Sequence, residues 1–275
     1  MAAPVLGLDH LSVLGMPPAA FVSLAAAAGF DEVSLFAHRL DINPFGYPDW
    51  SLVADKDLRR DVRIALADLG MELALGEGCT ILPGSDVGRH EPVLDMFAEL
   101  GARRINIVSF ENDVARDFDQ SCKLAELATA RGLKLCAEFS ARPGRSGFAE
   151  FMRRAADMPG GGVGVLIDAM HFFRAGTAVA ALTAVDPSRI VHLQLCDIGL
   201  DAVRDYMEAA MHERLVPGDG SLALEALVGA LPADLPISLE LPQKRLTLSG
   251  VGQAERLMRA AAVSRALIGR ARARR

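Results

Sequence analysis

The sequence predicts a closed (β/α)8 barrel, and three observations carry that prediction. Short apolar runs rich in Val, Ile and Leu alternate with Ala-rich amphipathic stretches. The alternation counts out eight strand–helix units in 275 residues, and glycine repeatedly sits just past an apolar helical run. Parallel strands buried on both faces read as nearly continuous apolar runs. A glycine past a helical run marks a left-handed C-cap with a short loop into the next strand. A doubly wound open sheet is the competing architecture. Its glycine-rich first turn is missing: the chain reads Leu-Gly-Met-Pro-Pro there, with no GxGxxG. No linker or low-complexity segment divides the chain, so one domain is expected over residues 1–275.

The elements follow in order. Residues 5–14 read as strand one and carry Asp9 and His10; residues 18–28 read as a helix stopped by Gly29. Strand two is 32–36. A long loop holding Phe45, Tyr47 and Trp50, either a lid over the site or a packed loop, leads to a helix over 58–69 and its stop at Gly70. Strand three, 72–76, precedes a helix over 91–100 that ends at Gly101. Strand four, 104–109, precedes one over 114–131 that ends at Gly132. Strand five is 134–139 with a helix over 147–158, and strand six is 163–168 with a helix over 178–185. Strand seven, 190–195, is followed by an extra short helix over 201–213 and a helix over 222–231. Strand eight is 237–241, and a helix over 252–270 leads to a tail whose Arg270, Arg272, Arg274 and Arg275 read as a frayed end.

Composition narrows the function. Hydrophobic residues make up 51% and charged residues 23%, enough for a large core and wrong for a disordered chain. A net charge of −6 and a pI near 5.6 argue against gripping a nucleic-acid backbone. The four cysteines show no CxxC spacing and read as reduced thiols. No basic n-region opens the chain, and no apolar run reaches the ~20 residues of a membrane span. The expectation is a cytoplasmic protein with a small-molecule substrate and neither nucleic acid nor membrane as partner. Homo-oligomer formation stays open.

In such a barrel the chemistry sits at the carboxyl ends of the strands. Four successive strands end on polar groups: Glu138 on strand five, Asp168 on six, Gln194 on seven and Glu240 on eight. They lie 30, 26 and 46 residues apart, one repeat each for the first two and one repeat plus a loop helix for the third. Three carboxylates aimed at one point cannot all stay ionised without a cation. All-oxygen donors favour a divalent metal, manganese first, with magnesium, cobalt or zinc as alternatives. His171, three residues past Asp168, can orient a ligand, touch substrate or move a proton. Arg214, in Arg-Leu-Val-Pro-Gly-Asp-Gly, and Arg174 are candidates to grip substrate, and Glu77 can reach the site from strand three. The loop after Arg214 is either an anion pocket or an ordinary turn with Ser221 as N-cap. His10 is balanced between core and substrate site. His192 reads as a buried core histidine, and His38, His90 and His212 as surface residues.

The chain resembles the xylose isomerase-like superfamily of sugar isomerases and epimerases, which also includes endonuclease IV. Glu138 in Ala-Glu-Phe, Asp168-x-x-His171, His192-x-Gln194-x-x-Asp197, Arg214 with its Pro-Gly-Asp-Gly, and Glu240 carry the resemblance. It implies metal ligation by Glu138, Asp168, residue 194 and Glu240. It also implies that Glu138 and Glu240 act as an acid–base pair on opposite faces of a metal-stabilised enediolate, with Asp197 among the substrate contacts. Gln194 stands where the epimerases usually have His and is similar to the metal-dependent 3-dehydroshikimate dehydratases of the same fold. The leading expectation is an isomerase or epimerase of a small polyhydroxylated carbonyl compound. A dehydratase comes second and a non-catalytic barrel third. DNA repair is disfavoured, because the chain has only six His for a His-rich zinc cluster.

Overall fold

A computed structural model describes residues 4–141, 147–159, 162–199 and 205–274. Eight parallel strands close a barrel in sequence order: β1 (Gly7–Leu8), β2 (Glu32–Phe36), β3 (Glu72–Ile81), β4 (Arg104–Ser109), β5 (Lys134–Phe139), β6 (Gly164–Asp168), β7 (Ile190–Leu195) and β8 (Ile237–Leu239). Closure comes from β1, whose Leu8 is in register with Val33 on one side and Leu239 on the other. The helices are α1 (Pro18–Ala27), α2 (Lys56–Leu69), α3 (Glu91–Leu100), α4 (Val114–Thr129), α5 (Phe148–Asp157), α6 (Ala169–Arg174), α7 (Tyr206–His212), α8 (Leu224–Ala230), α9 (Lys244–Leu248) and α10 (Gln253–Ala273). Local chemistry sets their ends. Asp55 caps α2 by accepting the Leu58 N–H at 2.9 Å, and Gly70 closes the helix at φ 62°.

The core has two parts. A large apolar layer fills the space between strands and helices and includes the fully buried Phe21, Phe97, Phe139 and Phe172. Each of these rings contributes about 1.5–3 kcal/mol by leaving water. A second cluster, Leu75, Cys136 and Leu166, is separate from it. These residues stand two positions before Glu77, Glu138 and Asp168, so the strand period gives each pair one face. An apolar plug therefore lies beneath a polar mouth.

Several sequence expectations change. The apolar run 5–14 is mostly not strand: after Leu8 the chain enters a 3-10 turn, His10–Val13, and Leu14 takes a left-handed φ of 49°. The Ser12 hydroxyl donates to the Leu239 carbonyl and accepts the Leu241 N–H, which ties the turn to β8. Because the turn itself is buried, its apolarity looks like that of a strand. β3 runs past Gly76 to Ile81, since a register shift and a φ of 108° at Gly78 carry it through. A Cβ on Gly76 would stand 2.7 Å from the Phe97 ring, so this glycine serves close packing rather than a strand end. β8 stops at Leu239 and leaves Glu240 just beyond it. The helix expected over 178–185 is a 3-10 stretch, Val179–Ala184, and the α-helix after β6 is α6. Ser221 is not the N-cap of α8, which starts after Ala223. The extra helix after β7 is α7, and residues 201–204 of that expectation lie outside the described residues. Of the arginine tail, Arg270 and Arg272 lie within α10 and Arg274 just past its end, with Arg270 and Arg274 paired to Glu225; Arg275 lies outside the described residues.

Candidate active site

Asp168 ends β6 and caps α6, its Oδ1 accepting the His171 N–H at 2.9 Å. Glu240 follows β8. The Arg214 guanidinium is inserted between these two carboxylates, with Nη1 on Asp168 Oδ2 and 2.7 Å from Glu240 Oε2. All three are buried. Arg214 Nε donates to the Ala210 carbonyl at 2.9 Å, and its backbone N–H donates to the Pro242 carbonyl at 3.1 Å. The loop that delivers Arg214 is clamped by Asp197. That carboxylate accepts N–H groups from Ile198 (2.9 Å), Gly218 (2.9 Å) and Leu222 (3.0 Å). Gly220 passes so close that a Cβ there would stand 2.3 Å from Asp197 Oδ1.

The other half of the mouth is a relay. Asn106 on β4 donates to Glu138 Oε2 at 2.8 Å, and His171 Nε2 is 3.3 Å from Glu138 Oε1. His171 Nδ1 is 2.8 Å from the Tyr206 hydroxyl, which lies 3.2 Å from Ser140 Oγ. A proton on Nε2 lets His171 donate to Glu138 and accept from Tyr206. Across the mouth Glu77 accepts from Ser34, and Asp9 accepts from Ser238 at 2.6 Å.

Five carboxylates thus share the mouth with one guanidinium. Burial pushes Asp9 up to about 7 and Glu77 and Glu240 well above the usual range; the neighbouring carboxylates reinforce this, and Arg214 opposes it. Burial also works to raise Asp168, but Arg214 and His171 outweigh it and hold that carboxyl below its ordinary value. The two partners of Arg214 therefore shift in opposite directions. Gln194, fully buried on β7, has neither amide atom hydrogen-bonded among the described residues. Among the described residues, no three His, Cys, Asp or Glu side chains are grouped to hold a metal ion.

A cavity of about 320 Å³ opens above this floor, which presents Glu77, Asn106, Glu138, His171, Arg214 and Glu240. Its wall is apolar, with Leu11, Phe36, Val108, Phe110 and Met211 among its residues.

Of the residues singled out from the sequence, Glu138, Glu240, His171, Arg214 and Glu77 face this cavity. Asp168 and Gln194 lie buried and are not part of its lining. Three others are placed elsewhere. His10 is stacked between Phe21 and Trp50 at 4.5 and 5.2 Å, with Nε2 on the Met16 carbonyl, and burial lowers it to about 4. Asp197 is spent on the Arg214 loop. Arg174 lies 5.8 Å over the Tyr206 ring, outside the lining. Trp50 donates to the Gly15 carbonyl at 3.1 Å, and it and Tyr47 pack against the core, while Phe45 is exposed; none of the three lines the cavity. His192 is buried beside Ser238 at 2.8 Å and lowered to about 3 by burial, as a core histidine. His90 is buried against the Thr80 carbonyl at 2.8 Å rather than at the surface. Asp9, Asn106 and Tyr206 were not foreseen. The strand-end rule points to Asp9 once β1 is known to stop at Leu8. Asn106 and Tyr206 carry no comparable signal.

A closed parallel barrel with a carboxylate-lined mouth defines the class: a (β/α)8 barrel with the site at its carboxyl-terminal face. The family model for the xylose isomerase-like TIM barrel matches residues 22–266, and the chain belongs to that family. No curated protein matches the sequence. Among solved structures the chain is similar to an IolI protein with a bound zinc atom (TM-score 0.78, 16% identity, 97% of this chain and 98% of the other). It is also similar to a D-psicose 3-epimerase solved in the presence of D-fructose (TM-score 0.70, 18% identity, 96% and 99%). A third match is a xylose isomerase-like TIM barrel/4-hydroxyphenylpyruvate dioxygenase fusion protein (TM-score 0.77, 21% identity). That match covers 94% of this chain but only 42% of the fusion's length. At these identities the likeness establishes the fold. Among the described residues, no helix is long and apolar enough to cross a membrane.

Proposed function

We propose that the chain is a divalent-metal-dependent isomerase or epimerase acting on a small hydroxylated carbonyl compound. One observation carries the reading: Glu138, backed by His171, and Glu240 border a single cavity from strands three places apart on the ring. Two carboxylates approaching a bound substrate from different sides can remove a proton beside a carbonyl and return one elsewhere.

The donor set suits a hard cation. Asp168, Glu240 and Glu138 supply carboxylate oxygens, and the buried Gln194 amide oxygen has no partner among the described residues. These four residues would hold the metal, manganese by preference, with magnesium, cobalt or zinc also compatible. When bound, the metal supplies Lewis-acid polarisation of the substrate carbonyl. His171, steadied by Tyr206, holds Glu138 in position and offers it a route for the proton. Glu77 and Asn106 present further polar atoms to substrate hydroxyls. The apolar wall keeps water away from the exchanging proton.

The test is proton exchange in heavy water. Incubated with manganese and a panel of ketoses, the protein should replace hydrogen next to the carbonyl by deuterium, read by NMR. A folded, metal-loaded protein that exchanges no panel member refutes the reading. A dehydratase is the second reading, supported by Gln194, the amide that resembles the 3-dehydroshikimate dehydratases. Mixing with 3-dehydroshikimate should then produce the absorbance of an aromatic product.

A further inference from the structure

Arg214 occupies the position that a cation between Asp168 and Glu240 would take. One nitrogen, Nη1, bridges the two carboxylates, and all three groups are buried. Two ionised carboxylates that touch one guanidinium nitrogen in a buried site repel strongly, and three more stand around the same mouth. A positive charge between them relieves that crowding, as a proton taken up by one of them also would. In this conformation the chain supplies the charge itself. The Gln194 amide lies buried beside that strand end without a hydrogen-bond partner among the described residues, the guanidinium included. We infer that Arg214 is an internal counter-ion that competes with the divalent metal for the Asp168–Glu240 pair, and so sets how tightly the metal is held.

The inference rests on the proposed metal site, and the geometry extends it. The backbone of the Arg214 loop is fastened by Asp197 and by the Pro242 carbonyl, independently of the two carboxylates. Exchange of one cation for the other therefore asks for movement of a side chain, not of the loop. Arg214 already lines the cavity, so a guanidinium released from the carboxylates remains within reach of a bound substrate.

The test uses the full chain, stripped with a chelator, and manganese as the probe. Manganese affinity is measured by calorimetry and chelator competition for the wild type, Arg214→Gln and Arg214→Lys. The expected result is at least ~10-fold tighter binding by Arg214→Gln, with Arg214→Lys nearer the wild type. The thermal midpoint of Arg214→Gln should also rise more on saturation than that of the wild type. General structural damage would loosen the metal, so tightening excludes damage as its cause. If Arg214→Gln folds only when manganese is present, that dependence supports the same conclusion. Equal or weaker binding by a folded Arg214→Gln overturns the inference while leaving the metal site intact. No manganese binding by any of the three proteins overturns both.

Discussion

Asp9 should make the metal-free protein lose stability as the pH rises toward neutrality. The side chain is fully buried after β1, and burial pushes its carboxyl up to about 7 against the pull of the Ser238 hydroxyl. In the unfolded chain the same group titrates near 3.8. Between those values the folded state holds a proton that the unfolded state has released. The raised folded value means the favourable contribution is complete below the unfolded value and is lost as pH climbs through the folded one. The slope cannot exceed ~1.4 kcal/mol per pH unit, and across the window it amounts to on the order of 4 kcal/mol. Asp9→Asn keeps an oxygen for Ser238 and removes the titration. Urea unfolding with a chelator present, at intervals from about pH 4.5 to about pH 8, measures both proteins. The difference between variant and wild type should grow in favour of Asn as pH rises. Parallel stability profiles would refute the reasoning.

Glu138→Gln should cut turnover by ~10²–10⁴-fold with little change in the unfolding midpoint, since Asn106 can still donate to the amide oxygen; steady-state kinetics beside thermal melting checks this. Asp197→Ala should destabilise by about 3 kcal/mol, because three backbone N–H groups lose their acceptor, and urea unfolding reads the loss. Gly76→Ala should cost about 1–3 kcal/mol, read the same way, because the added methyl meets Phe97 and Ile105 within 2.8 Å.

Much of the barrel was legible in the chain because its signals are local. β2, β4, β5 and β7 fall on the expected residues, since a parallel strand covered on both sides needs a continuous apolar run with β-branched content. The same locality made Glu138, Asp168, Gln194 and Glu240 visible as polar ends of apolar runs. It failed where two structures share one composition. The buried turn after Leu8 is as apolar as a strand, so Asp9 was read as lying within a strand instead of at its end. A glycine at 76 looks like a stop but serves contact with Phe97.

The sequence by itself determined the order of the elements and the acidic groups at the strand ends. Only the tertiary structure decided where the charges meet. Arg214 lies 46 residues from Asp168 and 26 from Glu240 in sequence, and it comes between them because Asp197 and Pro242 fold its loop inward. His10 and Arg174 have suitable chemistry at suitable positions, yet the packing of Trp50 and Tyr206 turns them to other tasks. A side chain's type is written in the chain; the direction it faces depends on the field and packing of residues far away in sequence.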